Sequence, residues 1–491
     1  MPIWKQVLQN FVGAQRPQVD TGLEAKYSVQ INLNKNLEYI EQLFADSADL
    51  VCRRLQVGQR PAALIYLKGL TNSDLIQRGI ADPLLNCKRS TSLQDILSCI
   101  AVSDYSTMDD LHQALQQMLD GRVLLLCQGI ATAVVVDVVK FPKRAVAEPA
   151  TDLAISGPMD GFIEAIEDNL ALVRRRLRTP HFKSKTMRLG VLSRTPVLIC
   201  YLEDRVDKQL LAEVEQRLQR LQTEEDLPKV LDSYYVMEAI SDHPLSPFPQ
   251  VLQTERPDVI VAHLVEGRIG LLVDGSPVAL VVPAAFFDFL QTADDYYVHP
   301  IFASVARWLR LLAVFVTTSV SGLYVAVTTF HYEVIPSRLV NTVAQTRGQV
   351  PLSSFSEAII MEITIDLLRE ATIRLPTKVG QVIGVVGALV VGQAAVQAGV
   401  VGPLLVIVVA IATIAGFAIP NNEQATALRM LRFPLILAAT VLSGFGMIFV
   451  WTAILTHLAS MDSLGEPYLR PIAPLKPKKL KDIFIRPFRQ V

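Results

Sequence analysis

Charge is absent from three long runs in the last third of the chain. Residues 311–332, 379–422 and 433–461 contain no Asp, Glu, Lys or Arg, whereas all four are plentiful before residue 310. A helix that crosses the hydrocarbon core of a bilayer needs about 20 apolar residues, and each run can supply one. The runs therefore predict an all-α multi-span membrane domain, which excludes both a wholly soluble enzyme and a disordered protein.

The membrane domain is predicted to cover 301–460 and to be followed by a basic cytosolic tail at 461–491. The tail carries seven Lys and Arg against three acidic residues, and by the positive-inside rule it lies in the cytoplasm. The Gly402-Pro403 pair breaks the longest uncharged run into two helices. The predicted spans are therefore about 311–330, 380–398, 403–420 and 434–458.

The first 20 residues lack a long apolar stretch, so no signal peptide is predicted and the soluble part stays in the cytoplasm. Both termini then lie on one side of the membrane, which requires an even number of crossings. Arg429 and Arg432 fall in the third loop, on the opposite side, and fit this orientation less well.

The soluble part carries the same order of elements twice. In each copy, a Gly before an Arg stands eight residues ahead of a turn Gly: Gly121 and Gly129, then Gly267 and Gly275. The pattern predicts two related cytosolic α/β subdomains, although hairpin patterns alone can produce such similarity. The predicted divisions are a polar arm at 1–30, subdomain 1 at 31–145, a linker helix at 146–180 and subdomain 2 at 181–300.

The linker helix ends in a basic cluster formed by Arg174, Arg175 and Arg176. Cations near a helix C-terminus interact favourably with the helix dipole, so the cluster is typical of a solvated helix end. It is also compatible with a basic patch at a subunit interface or at an anionic lipid surface. The sequence leaves both interpretations open.

Residue patterns of known catalytic and metal sites are missing from the sequence. There is no Walker, GxGxxG, GxSxG or HExxH motif, so neither an enzyme nor a cofactor is predicted. The seven His lack ligand spacing and the five Cys include no CxxC, so we expect no metal and reduced thiols. The net charge of −1 gives no indication of a nucleic-acid partner. The acidic and aromatic cluster at 294–297 is interpreted as a hinge contact rather than an acid/base site.

The segment 351–375 is apolar but carries several charges, and we predict an amphipathic helix. Glu362, Asp366 and Glu370 are spaced by four residues and therefore share one helical face. They either line a water-filled path that favours cations or pair with Arg369 and Arg374 at the membrane interface. Gln393 and Gln397, one turn apart in the second span, are likewise candidates for interhelical hydrogen bonds or for pore lining.

Small residues are concentrated in the second span, where Gly380 and Gly384 form a GxxxG motif and Gly387 and Gly392 follow. In lipid, small residues let helices approach closely. We therefore expect the membrane domain to form a tightly packed bundle or a homo-oligomer in the bilayer.

Long segments in both halves of the chain resemble one known family. They include GPMDGFIEAIEDNLALVRRRL, SPVALVVPAAFFDFLQTADDYY, LYVAVTTFHYEVIPSRL, SEAIIMEITIDLLREATIRLP and FAIPNNEQATALRMLRFPLIL. They resemble the A subunits of spore germinant receptors, the GerA family, and the resemblance as a whole covers about 35–490. The resemblance implies a multi-pass protein of the inner spore membrane that acts with B and C partner subunits. It also implies assembly into an ion channel that opens in response to nutrients and triggers ion release.

Two positions depart from the usual pattern of that family. The segment 156–162 lacks two expected arginines, and Thr372 stands where Gly is usual. A nutrient-receptor subunit and a SpoVAF-like accessory paralogue share the quoted motifs, so both remain open. A membrane scaffold that conducts no ions is the alternative from a different functional class.

Overall fold

The computed structural model describes two units of the chain. The α/β unit contains the described residues up to Asp242 together with Val251–Ala284, and the helical unit contains His243–Gln250 and 285–486. The predicted polar arm at 1–30 lies almost wholly outside the described residues. The structure describes residues 23, 26–87, 92–139, 157–223, 232–348, 350–376, 387, 390–475 and 477–486.

Subdomain 1 is a five-stranded antiparallel sheet with the strand order β1-β2-β4-β5-β3. Its strands are β1 Leu50–Val57, β2 Arg60–Leu67, β3 Tyr105–Met108, β4 Val123–Cys127 and β5 Ala133–Val136. Its helices are α1 Leu33–Leu43, α2 Ser73–Ile76, α3 Asp82–Leu85, α4 Leu93–Cys99 and α5 Leu111–Leu119, with a π-helical turn at Gln77–Ala81.

Both faces of this sheet are covered by helices, because successive side chains of a strand point to opposite faces. Ile65 of β2 belongs to a buried cluster with Leu37 of α1 and other residues of α1 and α5. Its neighbour Leu64 belongs to a second cluster, with Ile80 and Ile96, on the other face. The continuous apolar strands of the sequence are therefore strands buried on both sides.

Subdomain 2 repeats this arrangement with the strand order β6-β7-β9-β10-β8. Its strands are β6 Phe182–Leu189, β7 Thr195–Leu202, β8 Leu252–Thr254, β9 Ile269–Val273 and β10 Ala279–Val282. Its helices are α6 Ile166–Arg176, α7 Lys208–Thr223, α8 Ser233–Ile240 and α9 Pro257–Val265. The two sheets have the same order of strands along the chain and in space.

The duplication extends to single hydrogen bonds. The Asn36 amide in α1 accepts from the Gln30 N–H (3.0 Å) and donates to the Gln30 carbonyl (2.7 Å). The Asn169 amide in α6 makes the same two bonds with Ile163, at 2.8 and 2.5 Å. Helix α6 is thus the counterpart of α1. The helix that the sequence assigns to a linker at 146–180 belongs to subdomain 2, because it packs on that sheet.

The predicted glycine pattern corresponds to repeated turns. Gly121 and Gly267 follow α5 and α9 with φ values of 96° and 89°. Gly129 and Gly275 turn the hairpins with φ values of 84° and 82°. Only glycine adopts such angles at low cost, which explains the equal spacing in the two copies.

The cysteines differ from the expectation of five reduced thiols. The structure joins Cys87 and Cys99 in a disulfide, with their Cα atoms 5.9 Å apart. Both follow or end short helices that pack on one face of the first sheet, so folding brings together residues that the sequence keeps 12 apart. Cys52, Cys127 and Cys200 are free thiols.

The α-helices of the helical unit whose bounds lie within the described residues are α10 Pro300–Thr329, α11 Ser337–Gly348, α12 Ser354–Ile373, α13 Pro403–Phe417, α14 Asn422–Ser460 and α15 Pro477–Phe484. Within the described residues, α10 and α14 are long and apolar enough to cross a bilayer, and α13 is a shorter apolar helix. Residues 380–386, 388 and 389 of the predicted span at 380–398 lie outside the described residues, and 390–397 are helical.

Helix α14 is broken at Ser443, whose φ of 55° and ψ of −140° are not helical. Leu431 and Pro434, before the break, line one cavity of about 330 Å³ with Ala453 and Ile454, after it. In a straight helix these pairs would lie roughly 30 Å apart, at 1.5 Å per residue. The two halves of α14 therefore fold back on each other, and the predicted span at 434–458 contains this turn.

Candidate functional site: a buried ion network in the helical unit

The centre of the helical unit is a charged network around Arg432 of α14. The Arg432 guanidinium is 1% exposed and donates to the carboxylates of Glu362 and Asp366, the second at 2.7 Å. Glu362 is completely buried and also accepts from the Ser321 hydroxyl of α10, at 2.5 Å. The network thus joins three helices, α10, α12 and α14.

The N-cap and the buried residues of α12 position its carboxylates in this network. The Ser353 hydroxyl caps α12 by accepting from the Ser356 N–H, at 3.2 Å. The four-residue spacing then turns Glu362 and Asp366 toward α14. Met361 and Ala358 are buried beside them in the apolar core of the unit.

A second buried carboxylate contacts the start of α13. Glu357 is fully buried and accepts from the Gly402 N–H at 3.0 Å. Gly402 is the N-cap of α13, so the carboxylate lies at the positive end of that helix. Glu357 therefore fixes α12 to α13 much as Glu362 fixes it to α14.

The predicted pore-lining residues separate into two groups. Glu362 is enclosed within the chain and pairs with Arg432 rather than with Arg369 or Arg374. Glu370 does pair with Arg374, at 2.6 Å on the surface, and Asp366 remains 35% exposed. Gln393 and Gln397 are also exposed.

The predicted helix-packing glycines contact helices of the same chain where they are described. A Cβ at Gly387 would come within 2.8 Å of Leu368 Cδ1 in α12. Gly392 is buried, and a Cβ there would lie 3.7 Å from Val406 of α13. Gly380 and Gly384 lie outside the described residues.

One arginine of the basic cluster of α6, Arg174, forms an ion pair that links the two subdomains. Arg174 is completely buried and binds both Asp49 carboxylate oxygens, each at 2.8 Å. Its Nη1 also donates to the Phe182 carbonyl at 2.9 Å. Arg176 pairs with Asp160 at 2.6 Å, and Arg175 is exposed. Arg174 is therefore not part of a surface patch.

The acidic and aromatic cluster at 294–297, which the sequence analysis interprets as a hinge contact, contacts the start of α10. Asp295 is buried and accepts from Arg310 through both oxygens, at 2.7 and 2.9 Å. Arg307 donates to the same carboxylate at 3.3 Å and also reaches Asp482 of the tail helix α15. The cluster therefore joins the residues before α10 to the C-terminal tail.

Sequence reasoning missed Arg432 and Ser321. Arg432 stands immediately before the uncharged run 433–461, and its poor fit to the positive-inside rule was the available signal. In the structure it is neutralised by carboxylates inside the unit, so the rule does not apply to it as to a loop residue.

Two related α/β subdomains precede an apolar helical unit with internally paired charges, and two of the described helices are long and apolar enough to cross a membrane. Comparison with known proteins identifies the family of the chain. The model of the Bacillus/Clostridium GerA spore germination proteins matches residues 38–490, and the chain belongs to this family. Membership identifies a germination-receptor protein rather than an enzyme.

Two relatives named as spore germination proteins are similar in sequence to nearly the whole length of this chain. Spore germination protein KA of Bacillus subtilis (strain 168) is 34% identical over 93% of this chain and 84% of its own. Spore germination protein GerQA of Bacillus cereus is 36% identical over 93% of this chain and 90% of its own. The crystal structure of the N-terminal domain of the A subunit of the Bacillus megaterium germinant receptor GerK3 is 26% identical, with a TM-score of 0.41, and covers 54% of this chain and 99% of that one.

Proposed function

We propose that this protein is the A-type subunit of a germinant receptor, and that copies of it associate through the helical unit into a cation channel that opens in response to nutrients. It would lie in the inner spore membrane with both termini in the cytoplasm and work with B- and C-type subunits. The kinship with spore germination proteins over 93% of the chain supports the receptor role.

The channel role is supported by one observation above others: polar groups remain exposed on apolar helices. Asp366 and Glu370 of α12, and Gln393 and Gln397, are accessible, whereas Glu357 and Glu362 are enclosed. Polar side chains at membrane depth usually face a bundle interior or water rather than lipid. In a ring of copies, exposed carboxylates would raise the local concentration of cations and exclude anions.

Large apolar side chains on α14 support a lipid environment for the same unit. Phe445 and Phe449 are 80% and 74% exposed, and soluble surfaces rarely present such groups together. A bilayer or neighbouring copies would cover them.

Planar-bilayer recording of the purified full-length protein tests the channel proposal. We expect unitary conductance steps with permeation of cations over anions. An assembled oligomer that gives no conductance, alone or with its B- and C-type partners and nutrient, would favour a scaffold or a SpoVAF-like accessory role. The internal pairing of Glu362 with Arg432 favours that second candidate, because it removes one acidic group from any water path.

A further inference from the structure

Short helices cover one face of the first sheet, and a disulfide links two parts of this cover. Between β2 and β3 the chain forms α2, α3 and α4, which have four, four and seven residues. Cys87 lies two residues after α3, and Cys99 is the last residue of α4. The Cys87–Cys99 disulfide therefore holds the end of α4 beside the end of α3.

Subdomain 2 covers its sheet at the corresponding point of the chain without a disulfide. Between β7 and β8 it forms α7, which has 16 residues, and α8, which has eight. Val214 and Leu218 of α7 are completely buried, so this longer helix keeps its position through its own apolar face. Cys200 is the single cysteine of the sequence after residue 127. The shared fold therefore does not require the cross-link, which is particular to subdomain 1.

Apolar contacts and the disulfide together hold α4 on the sheet. Ile96 is completely buried and Ile100 is 9% exposed, in the cluster that contains Ile80. A helix as short as seven residues is unstable by itself, so α4 keeps its conformation through these contacts. The two cysteines are 12 residues apart, and a cross-link over such a loop disfavours the open chain by roughly a hundredfold. Breaking the bond would therefore make local opening of α4 much more frequent.

The two cysteines differ in burial, which sets the direction of exchange with a small thiol. Cys87 is 6% exposed, whereas Cys99 is half-buried. A small-molecule thiolate therefore attacks Cys99 Sγ, and the electron pair of the S–S bond passes to Cys87 Sγ, which takes up a proton. A second small thiol displaces the first, which releases the Cys99 thiol and a small-molecule disulfide. Two small thiols are oxidised, and the protein gains two electrons and two protons.

Small thiols such as glutathione keep most cytoplasmic cysteines reduced, and disulfides found in that compartment are usually transient and redox-sensing. The proposed function places the α/β unit in the cytoplasm, and the inference rests on that location. We propose that the Cys87–Cys99 disulfide is a redox switch, which holds α4 on the first sheet when oxidised and releases α4 when small thiols reduce it. Release would expose the apolar surface that Ile96 and Leu84 bury. Subdomain 1, and not subdomain 2, would then respond to the thiol/disulfide ratio of the compartment.

The first test measures the disulfide itself in the purified full-length protein. The protein in mixed micelles is equilibrated with reduced and oxidised glutathione over the cytoplasmic range, quenched with acid and alkylated after denaturation. Peptide mass spectrometry then measures the labels on Cys87 and Cys99. We expect both labels to appear together as the buffer becomes more reducing, while the free thiol of Cys52 is the control. A disulfide that persists in the most reducing buffer, or free thiols in the most oxidising one, would overturn the inference.

The second test asks whether the bond controls α4. Hydrogen exchange of backbone amides is compared between the oxidised and the reduced protein. We expect exchange in α4 to rise by up to roughly a hundredfold on reduction, and exchange in α8 of subdomain 2 to stay the same. The double variant Cys87→Ser with Cys99→Ser should exchange like the reduced protein in every buffer, whereas the matched control Cys52→Ser should keep the natural response. Reduction that leaves exchange in α4 unchanged would overturn the inference.

Membrane vesicles separate this inference from the location on which it rests. Glutathione does not cross a bilayer, so it reaches the cytoplasmic side only in inverted vesicles. After oxidation with membrane-permeant diamide, we expect reduced glutathione to free Cys87 and Cys99 in inverted vesicles and not in right-side-out vesicles. Reduction in right-side-out vesicles alone would contradict the cytoplasmic location in the proposed function, even where the exchange of α4 in micelles depends on reduction. A disulfide that glutathione reduces in neither kind of vesicle would overturn the inference.

Discussion

Removing the charge of Arg432 should destabilise the helical unit strongly. Arg432→Met keeps much of the side-chain length but leaves the fully buried Glu362 carboxylate with the Ser321 hydroxyl as its remaining partner. Breaking a buried ion pair on one side costs about 3–5 kcal/mol. Asp366 adds less to that loss, because it is 35% exposed and water can replace its partner.

The double variant Arg432→Met with Glu362→Gln removes both buried charges and should recover most of this loss. Replacing both members of a buried pair is far less costly than leaving one of them unpaired. The matched control is the surface pair Glu370–Arg374, where Glu370→Gln should change stability by only about 0.3–0.5 kcal/mol.

The assay is the free energy of unfolding of the protein in mixed micelles, measured by denaturant titration for the two single variants and the double variant. The structure predicts a coupling energy of about 2 kcal/mol or more between Arg432 and Glu362. Additive losses, with no coupling, would refute the buried network. The same result would make Glu362 a candidate pore-lining residue again.

Three further predictions concern other parts of the chain. Asp49→Asn should destabilise the α/β unit by about 3 kcal/mol or more in denaturant titration, because it leaves buried Arg174 without its carboxylate. Gly267→Ala should lower the unfolding temperature more than Gly275→Ala. A Cβ at Gly267 would come within 2.6 Å of the Arg205 carbonyl oxygen, whereas a Cβ at Gly275 would meet no atom within 4 Å. Burial raises the pKa of the Cys200 thiol to about 12 in the folded protein. The unfolded chain therefore loses this proton at a lower pH than the folded chain. Stability from this group should be complete below about pH 9 and fall as the pH rises toward 12. Alkylation of Cys200 at pH 8 should accordingly track unfolding.

The elements of the α/β unit could be predicted well because their signals are local. Apolar runs such as 62–67 become strands buried on both faces, and Gly121, Gly129, Gly267 and Gly275 mark turns that need positive φ. The limit of subdomain 2 was misjudged because α6 ends in arginines, which is typical of an exposed helix. Burial of Arg174 depends on Asp49, 125 residues away.

The candidate site could be predicted only in part, for the same physical reason. The four-residue spacing correctly places Glu362 and Asp366 on one face of α12, but their partner Arg432 lies 66–70 residues further along the chain. Helix packing decides whether a carboxylate faces water or an arginine. The periodicity of one helix gives no information about which helix packs against it. The turn at Ser443 was missed although Gly444 and Gly446 follow it, because single glycines also occur inside apolar helices.

We propose that the exposed carboxylates of α12 act on permeating cations. The most direct measurement is the reversal potential of single channels in asymmetric salt, for the natural sequence, Glu370→Gln and the control Glu333→Gln. Glu333 is an exposed acid in the turn after α10, away from α12 in sequence. We expect a cation-selective reversal potential that moves toward zero in Glu370→Gln and stays unchanged in Glu333→Gln. An unchanged reversal potential in Glu370→Gln, or an equal shift in both variants, would contradict this proposal.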